Sequence, residues 1–184
     1  MRNLFAALPL LLLSFPAMAE PFTYAPPHCD FTITFPEKPF IEEKCTSDKT
    51  KACDEVLTYT QMSGPASLNF RITCIKEDPK ILATYKTTNL TSTLDDMVKD
   101  TGLTSYGADA AGMENGIKTA VHLAGGIRND REVVYTGQVW LGKNSIFSLE
   151  GEMSGPEDKK INEVYTQILK SVMPKKTKTE PKQP

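Results

Sequence analysis

Four cysteines, two histidines and a few paired carboxylates are the side chains of this sequence that could carry chemistry. The cysteines are Cys29, Cys45, Cys53 and Cys74. They could ligate zinc, attack a substrate as thiolates or close disulfides, and their spacing decides among these. Zinc sites and redox dithiols use close pairs such as Cys-x-x-Cys. The chain has none, and only His28 and His122 could complete a ligand set. We therefore expect no metal and no cofactor. The even count suits two disulfides instead. Three pairings are open. Cys29 alternates with Phe31, Ile33 and Phe35, and Cys74 with Leu68, Phe70 and Ile72, so both point to an apolar face. Cys45 and Cys53 bracket the polar stretch TSDKTKA. Cys29–Cys74 with Cys45–Cys53 is the first choice, and Cys29–Cys45 with Cys53–Cys74 stands close behind it.

With every thiol bridged, no cysteine nucleophile remains. His122 sits in an alternating segment whose other face is apolar, which suits a structural or surface role on a polar or helix-covered side. His28 lies in a Pro-rich stretch. Glu150 and Glu152 share one strand face, and Asp95-Asp96 open a helix turn. Paired carboxylates do acid–base work only where the surroundings split their pKa values; a solvated strand face and a helix dipole account for these pairs more simply. No G-x-S-x-G elbow and no phosphate-cradling Gly-rich loop is present. No catalytic residue is assigned. Asn89-Leu90-Thr91 fits a glycosylation sequon, which matters only in a eukaryotic source. The single tryptophan, Trp140, falls out of phase with Val139 and Leu141. It is either core in a sheet covered on both faces or an exposed contact for a partner.

Disulfides need an oxidising compartment, and the first residues supply an address. Met1-Arg2-Asn3 leads into an apolar run from Leu4 to Phe15, closed by Ala17-Met18-Ala19. That is the order of a secretory signal peptide, and it places cleavage between Ala19 and Glu20. The run is too short to cross a bilayer, which takes about 20 residues, and no later stretch is long enough. The expected product is periplasmic or secreted. The formal charge is −2 overall and becomes −3 once Arg2 leaves with the leader. From Pro174 to Pro184 the chain is lysine-rich and offers nothing to bury, so residues 174–184 read as a disordered basic tail. Nothing in this balance suggests nucleic acid as a partner.

Residues 20–28 form a Pro-rich lead-in, and residues 29–173 read as a single domain. Alternation marks strands at 29–35, 40–44, 54–62 and 67–75. Asp78-Pro79 starts a helix, with Asp as N-cap and Pro at the first position. Ile81, Leu82, Tyr85, Leu94, Met97 and Val98 follow at helical spacing, interrupted by the poor helix former TTNLTST. An antiparallel meander comes next, with strands at 117–123, 133–141 and 145–153 and short turns at Gly125-Gly126, Asn129-Asp130 and Gly142-Lys143-Asn144. Ser154-Gly155-Pro156-Glu157 opens the last element, where Ile161, Val164, Tyr165, Ile168, Leu169 and Val172 make one apolar stripe. The fold class is α+β: an antiparallel sheet of about six strands, a mid-chain helix and a C-terminal amphipathic helix.

That order of elements, the opening FTITFPEKP and the closing VVYTGQVWLGKNSIFSLEGEMSGPEDKKINEVYTQILKSV resemble the PsbP-like superfamily over about residues 29–173. The superfamily includes an extrinsic subunit of the oxygen-evolving complex, a Ran-binding nuclear protein and small bacterial envelope proteins. The resemblance implies a non-catalytic binding or assembly role, and no family functional residue maps onto a matched motif. The four cysteines suggest a separate exported branch. The expected function is an exported, disulfide-stabilised binding or assembly protein of the bacterial envelope. Its partner would be another envelope protein, met through a sheet face or the Trp140 region. One alternative is a carrier of a small apolar ligand in a cavity lined by Phe70, Val121 and Ile168. Another is an envelope hydrolase using Glu150 or Glu152.

Overall fold

The computed structural model describes residues 20–45, 53–112 and 116–176. The expected leader, the stretch between Cys45 and Cys53 and the end of the basic tail lie outside the described residues.

Alternation writes most of the strands. In β2 (Phe31–Phe35) every second residue is buried, and Phe31, Ile33 and Phe35 are fully enclosed. The Pro-rich lead-in supplies β1 (Phe22–Tyr24), which pairs antiparallel with β2. On the other side of β2 lies β10 (Met173–Pro174). This three-stranded sheet packs on a larger one. The larger sheet is built from β3 (Phe40–Lys44), β4 (Asp54–Ser63), β5 (Ala66–Lys76), β6 (Thr104–Gly112), β7 (Lys118–Arg128), β8 (Arg131–Leu141) and β9 (Ser145–Ser154). Its order is β3-β4-β5-β9-β8-β7-β6, with every neighbouring pair antiparallel. Where the sequence predicts one sheet of about six strands, the described residues form a sheet of seven and a separate sheet of three. The strand least visible in sequence is β6, TSYGADAAG, whose small side chains show no alternation and whose extended form comes from pairing with β7.

The helices also depart from local preference. Asp78 caps α1 (Pro79–Thr84), accepting from the Lys80 N–H at 2.8 Å. The polar TTNLTST run is helical and opens α2 (Thr87–Lys99). Leu90, Leu94 and Val98 recur every four residues and are buried, so packing outweighs a propensity deficit of about a few tenths of a kcal/mol per residue. The last helix, α3 (Lys159–Lys170), begins later than Ser154-Gly155-Pro156-Glu157 suggested. Asp158 is its N-cap and accepts from the Ile161 N–H at 2.9 Å. The first-turn amide and the Ser63 hydroxyl hold the Asp158 carboxyl below the usual aspartate range. Ile161, Tyr165 and Ile168 face the sheet, each burial worth about 1.5–3 kcal/mol.

The register sorts the large sheet into two faces. On the first lie Leu57 and Tyr59 of β4, Leu68, Phe70, Ile72 and Cys74 of β5, and Phe147 and Leu149 of β9. α3 and the small sheet cover them as one core. At Gly151 a Cβ would stand 2.5 Å from the Phe70 ring and 3.1 Å from that of Tyr165, so only glycine lets α3 close. Burial pushes the Tyr165 phenol up to about 12, and it donates to the Gly151 carbonyl at 3.0 Å. On the second face lie Ala120, His122 and Ala124 of β7 with Tyr135, Val139 and Leu141 of β8. α1 and α2 cover these through Leu82, Leu90, Leu94 and Val98. The fully covered side of β7 is therefore its small-residue side, while Val121 is half-buried and Leu123 exposed.

Two disulfides fasten this arrangement. Cys29–Cys74 ties the start of the small sheet to β5, and Cys45–Cys53 closes the connection between β3 and β4. A bridge over 45 residues contributes about 2–4 kcal/mol in the chain-entropy model. Asp30 adds a polar clasp. Its carboxylate accepts from the Asn144 N–H at 2.6 Å and the Ser145 hydroxyl at 3.1 Å. Among the described residues no helix is long and apolar enough to cross a membrane.

Candidate functional site

The residues with chemical potential are occupied structurally. No described cysteine is free, and bridged sulfur offers neither a thiolate nucleophile nor a zinc ligand. The imidazole of His28 contacts the Cys74 carbonyl at 3.0 Å. Glu150 accepts from Arg71 at 3.0 Å and from the Tyr135 hydroxyl at 3.3 Å, and Glu152 is paired with Arg128. Burial, then the Glu150 charge, keep Tyr135 protonated well above the usual phenol range. These carboxylates are neighbours along a strand with arginine partners, not a pair facing each other across a cleft. Asp96 pairs with Lys99 at 2.6 Å. Asn89 accepts from the Lys86 N–H at 2.8 Å at the start of α2. Phe70 and Ile168 are fully buried in the core, and none of the clefts described below is lined by them or by Val121.

One constellation spans three elements and could not be read from spacing. His122 on β7 is 1% exposed. Its Nε2 lies 2.8 Å from the Ser105 hydroxyl on β6, and its Nδ1 lies 3.1 Å from Asp95 Oδ1 on α2. The Asp95 contact is off-line, so Nδ1 has no well-aligned partner. The sequence of groups is that of nucleophile, base and orienting acid. Two features weigh against catalysis. The imidazole is sealed beneath α2, and the nearby Gly107 N–H donates to the Ser105 hydroxyl itself at 3.2 Å instead of waiting for an oxyanion. The group works as a polar tie holding α2 to β6 and β7.

The surface that stands out is apolar. Leu123 pairs with Thr136, Gly125 with Val134, and Ile127 with Glu132. Leu123, Ile127 and Val134 therefore project from the same face as α3, Val134 at the edge of that helix and Leu123 and Ile127 on the next strand outward. A β-bulge between Ser105 and Gly107 turns Tyr106 over Gly125, where a Cβ would stand 3.1 Å from its ring. Tyr106 is 71% exposed, Ile127 66%, Leu123 49% and Val134 47%. Val134 also lines a cleft of about 230 Å³ together with Met153, Ile161, Glu132 and Asn162. Larger and shallower depressions lie along the outer side of α3 and around Pro65, Arg131 and Pro156. Trp140 lies on the same face, half-buried. Its ring is 5.8 Å from that of Phe31 and its Nε1 donates to Gln138 at 3.1 Å. It pairs with Thr119 on β7, four residues along from Leu123, and packs against the covered core.

In sequence, no family model matches the chain and no curated protein matches it. The fold is PsbP-like. The chain is similar to cyanobacterial PsbP (CyanoP) from Synechocystis sp. PCC 6803, with a TM-score of 0.53 and 13% identity over 87% of this chain and 95% of that one. LpqN, involved in cell envelope biogenesis of Mycobacterium tuberculosis, aligns with a TM-score of 0.33 and 15% identity over 87% of this chain and 86% of that one. At 13% identity the first likeness concerns the fold alone, and the second falls below the level that marks a shared fold.

Proposed function

We propose that the chain is an exported, disulfide-stabilised protein of the bacterial envelope that binds or assembles with another envelope protein and performs no catalysis of its own. The observation that carries this reading is the strip of Tyr106, Leu123, Ile127 and Val134. Four large apolar side chains share one uncovered sheet face beside a cleft, and exposed clusters of that kind mark interaction sites. The two disulfides agree with an oxidising compartment. The leader-like first 19 residues supply the route. Trp140 would contribute at the margin of the contact.

The test compares affinity capture from periplasmic extract by the mature protein and by its Leu123→Asp variant. A protein retained by the first and lost by the second supports the reading. Recovery of the same set by both, or of nothing specific by either, removes it. Mass spectrometry of the exported form is expected to give a chain starting at Glu20 and lighter than the reduced form by two disulfides; four free thiols would undo the compartment.

A further inference from the structure

We propose that β6 is an acceptor edge, where an extended segment of a partner protein adds to the large sheet as an eighth strand. The segment would be apolar at alternate positions and would carry lysine or arginine. This rests on the reading that a partner docks at the strip, and it specifies how.

Two strands end the large sheet, β3 and β6. Both leave one row of backbone N–H and C=O groups without a neighbouring strand among the described residues. Such a row is a template for another chain unless charge, proline or a cover blocks it. β3 is guarded: it is preceded by Pro39, and three of its five residues are Glu42, Glu43 and Lys44. β6 has no proline and one charged residue, Asp109, and eight of its nine residues are exposed. From Ala108 to Gly112 its pairing with β7 is regular, so this length presents a straight edge. The bulge stands before it and lifts Tyr106 onto the apolar face.

That edge is continuous with the strip. A strand added to β6 would place alternate side chains on the face that carries Tyr106 and Leu123. Its backbone would take up the free groups of β6. This is β-augmentation, in which main-chain bonds give affinity and alternate side chains give specificity. Charge chooses the class of segment. Around β6 stand Asp109 on the strand and Asp95, Asp96 and Asp100 on or just beyond α2, against Lys99 and Lys118. Lys99 and Asp96 cancel as a pair, and Lys118, which donates to the Tyr85 carbonyl, is left against Asp95, Asp100 and Asp109. The acidic surplus favours a basic strand over a second copy of this chain, which would bring a second acidic rim.

The experiment titrates the isotope-labelled mature protein with the peptide acetyl-Lys-Val-Thr-Val-Lys-Val-Thr-amide. The control has both outer valines replaced by proline, which leaves the charge unchanged and removes backbone donors. Binding is read by NMR amide shifts and hydrogen exchange. Ala108–Gly112 amides are expected to shift and to exchange more slowly. The proline peptide is expected to bind at least about tenfold more weakly. Ala111→Lys, a guard like those on β3, is expected to abolish binding with an unchanged melting temperature. Three results would overturn the acceptor edge: no binding at millimolar peptide, equal binding of the two peptides, or protection of β6 that follows protein concentration instead of peptide. Shifts confined to Leu123, Ile127 and Val134 would overturn it too, while leaving the strip as a docking site. The capture experiment with Leu123→Asp decides that reading independently.

Discussion

Two areas of the large sheet are left without a helix, one on each face. On the side away from α3, β4, β5 and β9 meet water with side chains that bind one another. Asn69 donates to Thr60 at 2.9 Å, Arg71 to Glu150 at 3.0 Å, and the Thr73 and Ser148 hydroxyls lie 2.6 Å apart. On the side that α3 covers elsewhere, β6 and β7 are just as open, yet they show Tyr106, Leu123 and Ile127. The first area ties its polar groups together laterally, and the apolar side chains exposed on that face, Met62, Ile75 and Phe40 of β3, stand apart with Thr58 and Thr60 between Phe40 and Met62. The second exposes apolar area that gains nothing from water. The difference is one of arrangement: the second area gathers its exposed apolar side chains on one face of β6, β7 and β8, where the first spreads them among bonded polar groups.

The comparison can be broken by charging each surface in turn. Ile168→Asp, beneath α3, is expected to destabilise the fold by more than about 3 kcal/mol, because it buries an unpaired carboxylate. A melting temperature near that of the wild type would mean that α3 does not seal its face. Removing the Cys29–Cys74 bridge by serine substitution at both positions is expected to cost about 2–4 kcal/mol, measured by urea unfolding. Leu123→Asp, on the open strip, is expected to change stability by less than about 1 kcal/mol while eliminating partner capture. A large loss of stability would show the strip to be core. Arg71→Ala on the polar area is expected to stay within about 0.5 kcal/mol and to leave capture intact. The smallest effect concerns pH. Asp158 is held below its ordinary pKa in the folded chain, so its contribution is present above about pH 4 and fades as pH falls through the lower folded value. Asp158→Asn is expected to flatten the fall of melting temperature in that acidic window; an identical acid profile would show that the cap carries no such linkage.

The sheet and α3 were largely legible because their side chains repeat at the periods of strand and helix. Phe31, Ile33 and Phe35 occupy alternate positions, and Ile161, Tyr165 and Ile168 make one stripe; both sets are buried. β6 was invisible because Gly107, Ala108, Ala110 and Ala111 give no period. α2 was half hidden because threonine, serine and asparagine fill its exposed positions. The strip was beyond reach for a different reason. Alternation puts Val121 and Leu123 on one face of β7 but does not tell which face a helix covers. Here α2 lies over Ala120 and Ala124, whose small side chains let it approach. Tyr106 depended on a bulge with no signature beyond Gly107. The His122 tie joined residues on three separate elements, a juxtaposition that only the folded chain creates.

The Cys45–Cys53 bridge has a consequence for resistance to proteolysis. A protease that severs any peptide bond between residues 46 and 52 would leave both fragments joined through sulfur. The severed molecule would migrate as a single species until a reductant is added, and β3 would keep its place beside β4. A chain with such a bracket can be nicked there without being dismantled.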